Sequence, residues 1–362
     1  MRLSHIIAPG PMAGAENVVL QGCQALLGSG ATLCLFVVVD ERCPSHGEQF
    51  AEAARAREIP VQTVQVRGRV DLRALMQLRS ASRTQRPDVI HSHGYKALVY
   101  SMLARPAGTA LAVTHHGDTG HDRLARFYEG LARALYARVD LVFSVSHATT
   151  DLLADAGVRR AKLRTVSNPV SLPPPARSDQ GSGAPGALLF VGRLSREKGL
   201  HVLLRALASN GTPGGLRLDV AGDGPCAGEW KALCTSLGLD DRVRWLGMRS
   251  DIPDLLAESE AMVLPSLREG LPLAVLEATS CEVPVIASRV GGVPEAVWEG
   301  ENAILVEPGD IEAWARALRS LPEQSHMLRE GARRRGSEVR ARHAPERWAL
   351  LMMEHYREAT KQ

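Results

Sequence analysis

The chain has 362 residues, of which 45% are hydrophobic and 23% charged, values typical of a soluble globular protein with more than one domain. A net charge of +3, scattered arginines and 4% aromatic residues argue against a nucleic-acid-binding surface. Six cysteines without a CxxC pair or a Cys/His cluster exclude a disulfide scaffold and a zinc module, and they fit a reducing cytoplasm. No signal peptide or bilayer-spanning stretch is visible, so we expect a cytoplasmic protein, at most peripheral at the inner face of the membrane.

The first half of the chain alternates strand-like and helix-like segments. Short apolar strands between amphipathic helices predict a parallel sheet covered on both faces, with any ligand at the carboxyl ends of its strands. The predicted strands are residues 3–8, 33–39, 88–91, 111–114 and 141–145, and the predicted helices are 16–27 and 72–83.

Charge is uneven between the two halves. Residues 1–170 contain 20 Lys and Arg against 14 Asp and Glu, so 20 − 14 = +6, and the remainder has 23 − 26 = −3. Within this half, segment 124–138 alternates apolar residues with Arg126, Arg133 and Arg138. A basic first domain favours an anionic acceptor or membrane surface, and an ordinary solvated, arginine-rich surface is the alternative.

Residues 171–186 are dense in Pro, Ser and Gly and have no apolar period, which predicts an interdomain linker. A second alternation follows and predicts a second Rossmann-like unit over residues 187–344. Its predicted strands are 187–191, 216–221, 243–246, 261–264, 284–287 and 304–306, and its predicted helices are 200–209, 227–237, 252–257, 273–279 and 311–318. Residues 345–359 predict one more helix.

The strongest motif is PSLREGLPLAVLEA at residues 265–278. A predicted strand ends at Leu264, a loop contains Glu269, and Pro272 stands where a helix is expected to begin. A helix N-terminus offers free N–H groups and a positive dipole end, which suit a phosphate. Glu269 and Glu277 together with that helix end are able to hold a diphosphate and sugar hydroxyls, although spacing alone also fits two surface glutamates.

A second motif, VGRLSREKG at residues 191–199, places Arg193 and Lys198 in the loop after a strand. Two fixed cations at the carboxyl end of a strand suit a leaving diphosphate, because they stabilise charge that develops as the glycosidic bond breaks. Solvated surface charges are the alternative interpretation. No Asp-x-Asp pair with metal-ligand context is present, since Asp219 and Asp223 flank a turn, so no metal is expected.

GRLSREKG, AGDGP at 221–225, PSLREGLPLAVLEA and GGVPE at 291–295 follow one another in the order found in retaining GT-B glycosyltransferases of group 1 (family 4), which the chain resembles. The Glu269/Glu277 pair matches the Glu–seven residues–Glu signature of that family. PMAGAENVVL at 11–20, with Ala13 where glycine is common, DVIHSHG at 88–94 and VTHHGD at 113–118 are similar to its first domain.

This resemblance implies a GT-B fold, in which two Rossmann-like domains face each other across a cleft. The N-terminal domain (1–170) would hold the acceptor, the domain at 187–344 would hold the donor, and the helix at about 345–362 would return to the first domain. The donor would be a nucleotide-diphosphate sugar, with a UDP-sugar slightly favoured over GDP-mannose. The acceptor would be a glycan, a lipid-linked or a small molecule, commonly in bacterial envelope or exopolysaccharide synthesis.

The resemblance also implies roles for individual residues. Arg193 and Lys198 would bind the diphosphate, Glu277 the ribose, and Glu269 the donor sugar, while His116 would face the transferring sugar. The donor site would be completed by backbone around Gly14, Gly270, Leu273, Ala274 and Val275. Apart from the resemblance, position at or after a strand end makes His93, Asp118 and His121 candidates for acceptor contacts, and a hydrogen-bonded structural role is the alternative for His93. His91 either lines the acceptor cleft or has a structural role. His5 belongs to no motif of catalytic or ligand-binding residues.

Retention of the anomeric configuration without a carboxylate nucleophile implies that the diphosphate leaves and the acceptor attacks on the same face of the sugar. The main contribution of the protein would then be stabilisation of charge and positioning of the substrates. A GT-B phosphorylase or a nucleotide-sugar epimerase remains an alternative with the same fold. A dinucleotide-dependent oxidoreductase is disfavoured, because neither first βα turn has GxGxxG spacing. A catalytically inactive partner subunit is disfavoured by the intact set of charged residues.

Overall fold

The computed structural model describes residues 1–68, 71–117, 130–171 and 185–361, and the chain divides into two compact units. One unit comprises Met1–Ser171 and His343–Gln362, and the other comprises Leu172–Arg342. Among the described residues, no helix combines the length and the apolar character needed to cross a bilayer.

The first unit contains a seven-stranded sheet in the order β3-β2-β1-β4-β5-β6-β7, in which neighbouring strands are parallel. The chain therefore reverses its direction of winding between β1 and β4, which is where α/β sheets bind ligands. Its strands are β1 Arg2–Ile7, β2 Thr32–Asp40, β3 Val61–Val66, β4 Val89–His93, β5 Ala110–His115, β6 Leu141–Ser144 and β7 Leu163–Thr165. Its helices include α1 Gly14–Gly28, α2 Pro44–Arg55, α3 Leu72–Gln85, α4 Tyr95–Ala104 and α5 His147–Asp155.

The second unit contains a six-stranded parallel sheet in the order β10-β9-β8-β11-β12-β13. Here the reversal lies between β8 and β11, the two strands that precede the charged motifs. The strands are β8 Ala187–Val191, β9 Arg217–Ala221, β10 Val243–Gly247, β11 Ala261–Leu264, β12 Val285–Ser288 and β13 Ala303–Val306. The helices are α6 Leu200–Leu207, α7 Ala227–Ser236, α8 Ile252–Glu258, α9 Leu273–Ser280, α10 Val293–Ala296 and α11 Ile311–Arg342.

Helix α11 is much longer than the predicted span of residues 311–318. Pro322 suggests an end to the helix because proline lacks the N–H of an interior residue, yet the helix continues for 20 residues beyond it. Leu321, Leu328 and Val339 are all buried, so the apolar side of the helix extends far past the proline. Burial of this long stripe outweighs the lost hydrogen bond.

The last helix, α12 Pro345–Ala359, belongs to the first unit, as predicted. It packs along α1, where the Trp348 ring lies so close to Gly22 that a Cβ at residue 22 would be 2.6 Å from it. Tyr356 is fully buried beneath the sheet and hydrogen-bonds His91. The core on this face of the sheet therefore combines residues from both ends of the chain.

Candidate active site

In the second unit, the loop after β8 and the loop after β11 touch through their backbones. Gly199 has φ +62°, and a Cβ there would lie 2.2 Å from the carbonyl oxygen of Pro265. Nearby, the N–H of Leu267 donates to the carbonyl oxygen of Glu197 at 2.7 Å. Only glycine permits both this backbone conformation and this approach. The two charged motifs, about 70 residues apart in sequence, are thereby held together.

The contact between these loops brings Lys198 and Glu269 into a direct ion pair, with Nζ 2.6 Å from Oε1. The Ser266 hydroxyl donates to the same oxygen, also at 2.6 Å. The Lys198 side chain is 21% exposed and that of Glu269 only 8%. The family resemblance implies separate roles for these two residues, with Lys198 binding the diphosphate and Glu269 binding the donor sugar. The structure instead shows one prepaired unit, in which the carboxylate orients the ammonium group.

Arg193 occupies a different environment in the same loop. Its side chain is exposed, and within the described residues no carboxylate lies at ion-pair distance from it. The next arginine, Arg196, pairs with Glu229 at 3.3 Å on the surface. Arg193 is therefore available to an anionic ligand without breaking an existing ion pair.

Helix α9 begins at Leu273, the first residue of the predicted span, and Pro272 precedes it with φ −71°. The N–H of Val275 donates to the carbonyl oxygen of Pro272 at 3.2 Å, so this donor is already engaged. The N–H groups of the first helical residues, Leu273 and Ala274, have no partner inside a helix of this geometry. They are the donors at this helix end that suit an anion.

The loop before α9 is fixed from its other side by the GGVPE turn. Gly291 has φ +51°, and a Cβ there would lie 2.1 Å from the carbonyl oxygen of Glu269. The N–H of Gly292 donates to the carbonyl oxygen of Gly270 at 2.6 Å. Glu269 and Gly270 are thus held between two neighbouring loops before any ligand binds.

Glu277 lies in the middle of α9 and is half-buried. Removal from water disfavours its charged form and raises the pKa of this carboxyl from 4.5 to about 7. Near neutral pH it is therefore divided between the neutral acid and the carboxylate. A pair of hydroxyl donors, such as those of a ribose, favours the carboxylate form.

The end of β9 and the AGDGP turn that follows it (residues 221–225) make contacts within the second unit. Asp219 lies on β9, where Arg244 binds its carboxylate through two hydrogen bonds, the longer of them 2.8 Å. The carbonyl oxygen of Asp223 accepts from the N–H of Leu194 at 2.9 Å, which links this turn to the loop of Arg193.

In the first unit, Gly14 is the first residue of α1 and is exposed. The residue before it, Ala13, is extended with φ −148°, a conformation open to any residue, so the departure from the family glycine is tolerated. The Glu16 carboxylate accepts from the N–H of Gly10 at 3.0 Å and closes the loop ahead of the helix.

Histidines from strands β1 and β4 and from the loop after β5 meet on one face of the first sheet. His5 on β1 lies opposite His91 on β4, and its Nδ1 is 3.1 Å from Nε2 of His93. Nδ1 of His93 is 3.5 Å from Nε2 of His116, which follows β5. Burial lowers the pKa of His5 to about 3 and that of His116 to about 4, and it holds the pKa of His91 and of His93 well below its usual range. These rings are neutral at physiological pH.

His5, His91 and His93 bring ligand atoms within 4.8 Å of one another, which is close enough to consider a metal ion. Both ring nitrogens of His91 are engaged, however, with Tyr356 Oη at 2.5 Å and Thr114 Oγ1 at 2.7 Å. The rings of His91 and His93 are also stacked, 4.5 Å apart, so they do not converge on one point. This donor set fits a hydrogen-bonded cluster better than a metal centre.

The structure therefore brings Lys198, Glu269 and Gly270 together at one end of the second sheet, while His93 is buried between His5 and His116. Asp118 and His121 lie outside the described residues. The sequence analysis did not predict that His5 lies in this cluster, because only the pairing register of β1 with β4 places it there. Once β1 is placed beside β4, residue 5 faces the HSH segment.

Comparison with known proteins gives matches over both units. Residues 177–338 match the family model "Glycosyl transferases group 1", and residues 12–172 match "Glycosyltransferase Family 4". A D-inositol 3-phosphate glycosyltransferase of Saccharomonospora viridis is 32% identical over 75% of this chain and 70% of its own length. The lipopolysaccharide core biosynthesis glycosyltransferase LpsE of Rhizobium meliloti is 27% identical over 73% of this chain and 74% of its own length.

Among solved structures, Anabaena HepE in complex with UDP-glucose superposes with a TM-score of 0.83 at 22% identity, covering 99% of this chain and 100% of that one. Staphylococcus aureus TarM in complex with UDP gives a TM-score of 0.81 at 10% identity and full coverage of both chains. The two parallel sheets and the returning C-terminal helix are those of the GT-B fold. The chain belongs to the group-1 (family 4) glycosyltransferases of GT-B fold.

Proposed function

We propose that this glycosyltransferase is a retaining, metal-independent enzyme that uses a UDP-sugar. The main support is the Lys198–Glu269 pair, held at 2.6 Å by contacts between two loops beside the exposed Arg193 and the start of α9. UDP is bound in the solved HepE and TarM structures, which favours uridine as the base here.

Each group has a part in the proposed reaction. Arg193, Lys198 and the N–H groups of Leu273 and Ala274 bind the diphosphate, and Glu277 accepts hydrogen bonds from the ribose. Glu269 meets a hydroxyl of the donor sugar while it orients Lys198. His116 contacts the transferred sugar, and Gly14 lets backbone approach the diphosphate.

The proposed step breaks the bond between the anomeric carbon and the phosphate oxygen. A bond from the acceptor oxygen forms on the same face, and the acceptor proton passes to the departing phosphate oxygen. Negative charge grows on the diphosphate during this step, so fixed cations and helix N–H groups lower the barrier. No metal is required because these groups supply the positive charge.

The acceptor proposed is a lipid-linked or growing glycan of the bacterial envelope, consistent with the names of LpsE and of the putative colanic acid glycosyltransferase WcaL of Salmonella typhimurium. We place the enzyme in the cytoplasm, in peripheral contact with the inner membrane face. The support is helix α3, which exposes Leu72 (70%) and Met76 (63%). Residues 72–86 contain four arginines and no acidic residue. Apolar side chains flanked by cations suit an anionic lipid surface.

The first experiment is a thermal-shift panel of UDP, GDP, ADP, dTDP and NAD, with and without a chelator. A ligand that binds the native state raises the melting temperature. We expect a shift with UDP that survives the chelator. A shift with GDP alone would overturn the uridine proposal. A response to UDP that the chelator removes and magnesium restores would overturn the metal-free proposal.

Membrane contact is tested by sedimentation with vesicles. The double variant L72S/M76S should bind phosphatidylglycerol-containing vesicles at least about fivefold less than wild type, because it loses the apolar contact. Leu350 on α12 is also 65% exposed and away from this arginine-rich face, so L350S is the matched control. Equal binding of wild type to pure phosphatidylcholine would contradict an electrostatic contribution.

A further inference from the structure

His5, His93 and His116 form a continuous hydrogen-bonded line of rings in the first unit. The two links are His5 Nδ1 to His93 Nε2 at 3.1 Å and His93 Nδ1 to His116 Nε2 at 3.5 Å. Neighbouring rings are stacked, with centroids 5.2 Å and 5.7 Å apart. His91 touches this line but directs its own nitrogens to Tyr356 and Thr114.

A neutral imidazole carries one ring proton, so each ring donates through one nitrogen and accepts through the other. Both links are satisfied in only two arrangements. In the first, all three rings carry the proton on Nδ1 and the free donor is Nδ1 of His116. In the second, all three carry it on Nε2 and the free donor is Nε2 of His5.

The two ends of the line differ in their surroundings. His5 lies inside β1, is 1% exposed and is paired with strands on both sides, and its Nε2 has no partner among the described residues. His116 lies beyond the end of β5, is half-buried as a residue and precedes Gly117 with φ +109°. Its Nδ1, like Nε2 of His5, is buried and has no partner among the described residues. Either arrangement therefore leaves one buried N–H unpaired in the structure, which is costly. His5 is held between two paired strands, whereas His116 lies outside a strand, so a small rotation toward an acceptor disturbs less structure at the His116 end. The first arrangement is therefore favoured.

A cavity of about 20 Å³ adjoins His5, His93, Thr114 and His116, which is room for about one water molecule. Such a water serves either arrangement, so it does not decide between them. The lowered pKa values of the three rings keep them neutral near pH 7 and so maintain the coupling.

We propose that His5 and His93 are positioning residues that fix His116 as a hydrogen-bond donor through Nδ1. The ring state of His116 does not depend on the proposed function. Its consequence does rest on that function: His116 would donate to a hydroxyl of the transferred sugar and would not accept from it. His5 would then influence substrate contact through two intervening hydrogen bonds.

The test is long-range ¹H–¹⁵N correlation of the enzyme labelled with ¹⁵N-histidine, which distinguishes protonated from unprotonated ring nitrogens. We expect protonation at Nδ1 of His116 in wild type. His5→Leu removes the first donor and should give a mixed or Nε2-protonated His116. His5→Asn presents an amide N–H near the position of Nδ1 and should retain the wild-type state. His91→Leu is an equally buried change beside the line and should leave it unchanged.

Turnover supplies a second readout, measured as hydrolysis of UDP-glucose. His5→Leu should lower kcat roughly tenfold, the value of about one hydrogen bond, with the dissociation constant of UDP unchanged and with recovery in His5→Asn. Nε2 protonation of His116 in wild type, or an identical His116 spectrum in His5→Leu, would overturn the proposal. Failure of every nucleotide in the thermal-shift panel would instead remove the proposed function and leave the ring state to be decided by the spectra.

Discussion

The two units solve the problem of placing polar groups at the end of a parallel sheet in different ways. In the second unit, charged side chains lie on loops whose backbones are in contact, and Lys198 and Glu269 form an ion pair. In the first unit, neutral rings on strands β1 and β4 and just beyond β5 form hydrogen bonds with one another. Loop charges suit the binding of an anion, whereas neutral rings in a fixed line suit the orientation of hydroxyl groups without an added charge.

The strongest test of this difference between the units is to remove the ammonium group of Lys198 in the second unit. Lys198→Ala should lower turnover about a hundredfold, because a fixed charge near the developing phosphate charge is lost. It also leaves the Glu269 carboxylate, 8% exposed, without its cation. The measurement is kcat with a saturating donor.

Arg196→Ala is the matched control for that variant. It removes a cation two residues away that pairs with Glu229 on the surface, so its turnover should stay near that of wild type. Equal losses in the two variants would mean that general loop charge, and not the Lys198–Glu269 pair, determines activity.

The contact between the two loops is tested by Gly199→Ala. The new Cβ would meet the Pro265 carbonyl oxygen at 2.2 Å, so the loops must separate. We expect donor affinity to fall about tenfold and stability to fall by about 1–3 kcal/mol, measured by calorimetry and by denaturant unfolding.

Gly238→Ala is the control that separates the effect of backbone strain from the effect of the clash with the Pro265 carbonyl oxygen. Gly238 has φ +66°, close to the +62° of Gly199, but a Cβ at residue 238 meets nothing within 4 Å. It should cost stability alone. A normal donor affinity in Gly199→Ala would show that the loop contact does not shape the site.

The smallest expected effect on donor binding concerns Glu277, whose carboxyl has a raised pKa. Since the folded-state pKa is about 7 against an ordinary 4.5, its contribution to the free energy of unfolding is most favourable below pH 4.5 and is lost as pH rises toward 7. Glu277→Gln should therefore stabilise the unliganded protein by up to about 3 kcal/mol at pH 8 and by much less at pH 5. Denaturant unfolding at both pH values measures this.

The same carboxyl should make donor affinity depend on pH. Hydroxyl donors favour its charged form, so binding of UDP-glucose should tighten a few-fold from pH 6 to pH 8 in wild type. UDP-glucose is a suitable probe because its diphosphate has no ionisation near neutral pH. In Glu277→Gln the affinity should be lower and flat with pH, and a retained pH dependence would assign it to another group.

The two regions also differ in how far the sequence reveals them. The second unit was predictable because its charged residues sit in contiguous motifs, and strands 187–191 and 261–264 were placed at their observed bounds. What the sequence could not provide is the direct Lys198–Glu269 bond, which depends on loop contact across about 70 residues. The histidine line was not predictable for a similar reason, since His5 joins it only through strand register.

Some elements were missed on physical grounds. Helix α2 begins at Pro44, directly after an exposed loop, and contains Gly47, while the apolar residues of β3 alternate with exposed glutamines, so the sequence patterns of both elements are weak. The predicted helix 311–318 covers only the first part of α11, whose buried stripe continues past Pro322 to Val339. Local sequence signals were decisive where turns and motifs are compact, and long-range burial was decisive elsewhere.

The position of α12 in the first unit has a consequence for biosynthesis. The second unit is one continuous stretch of chain, whereas the core of the first unit needs Tyr356 and Met352 from near the end of the chain. During translation, strands β1 and β4 leave the ribosome before the second unit, and helix α12, which covers them, leaves after it. One apolar face of the first unit's sheet therefore lacks α12 while the second unit is being synthesised. We therefore expect the first unit to depend more on chaperones during synthesis than the second unit does.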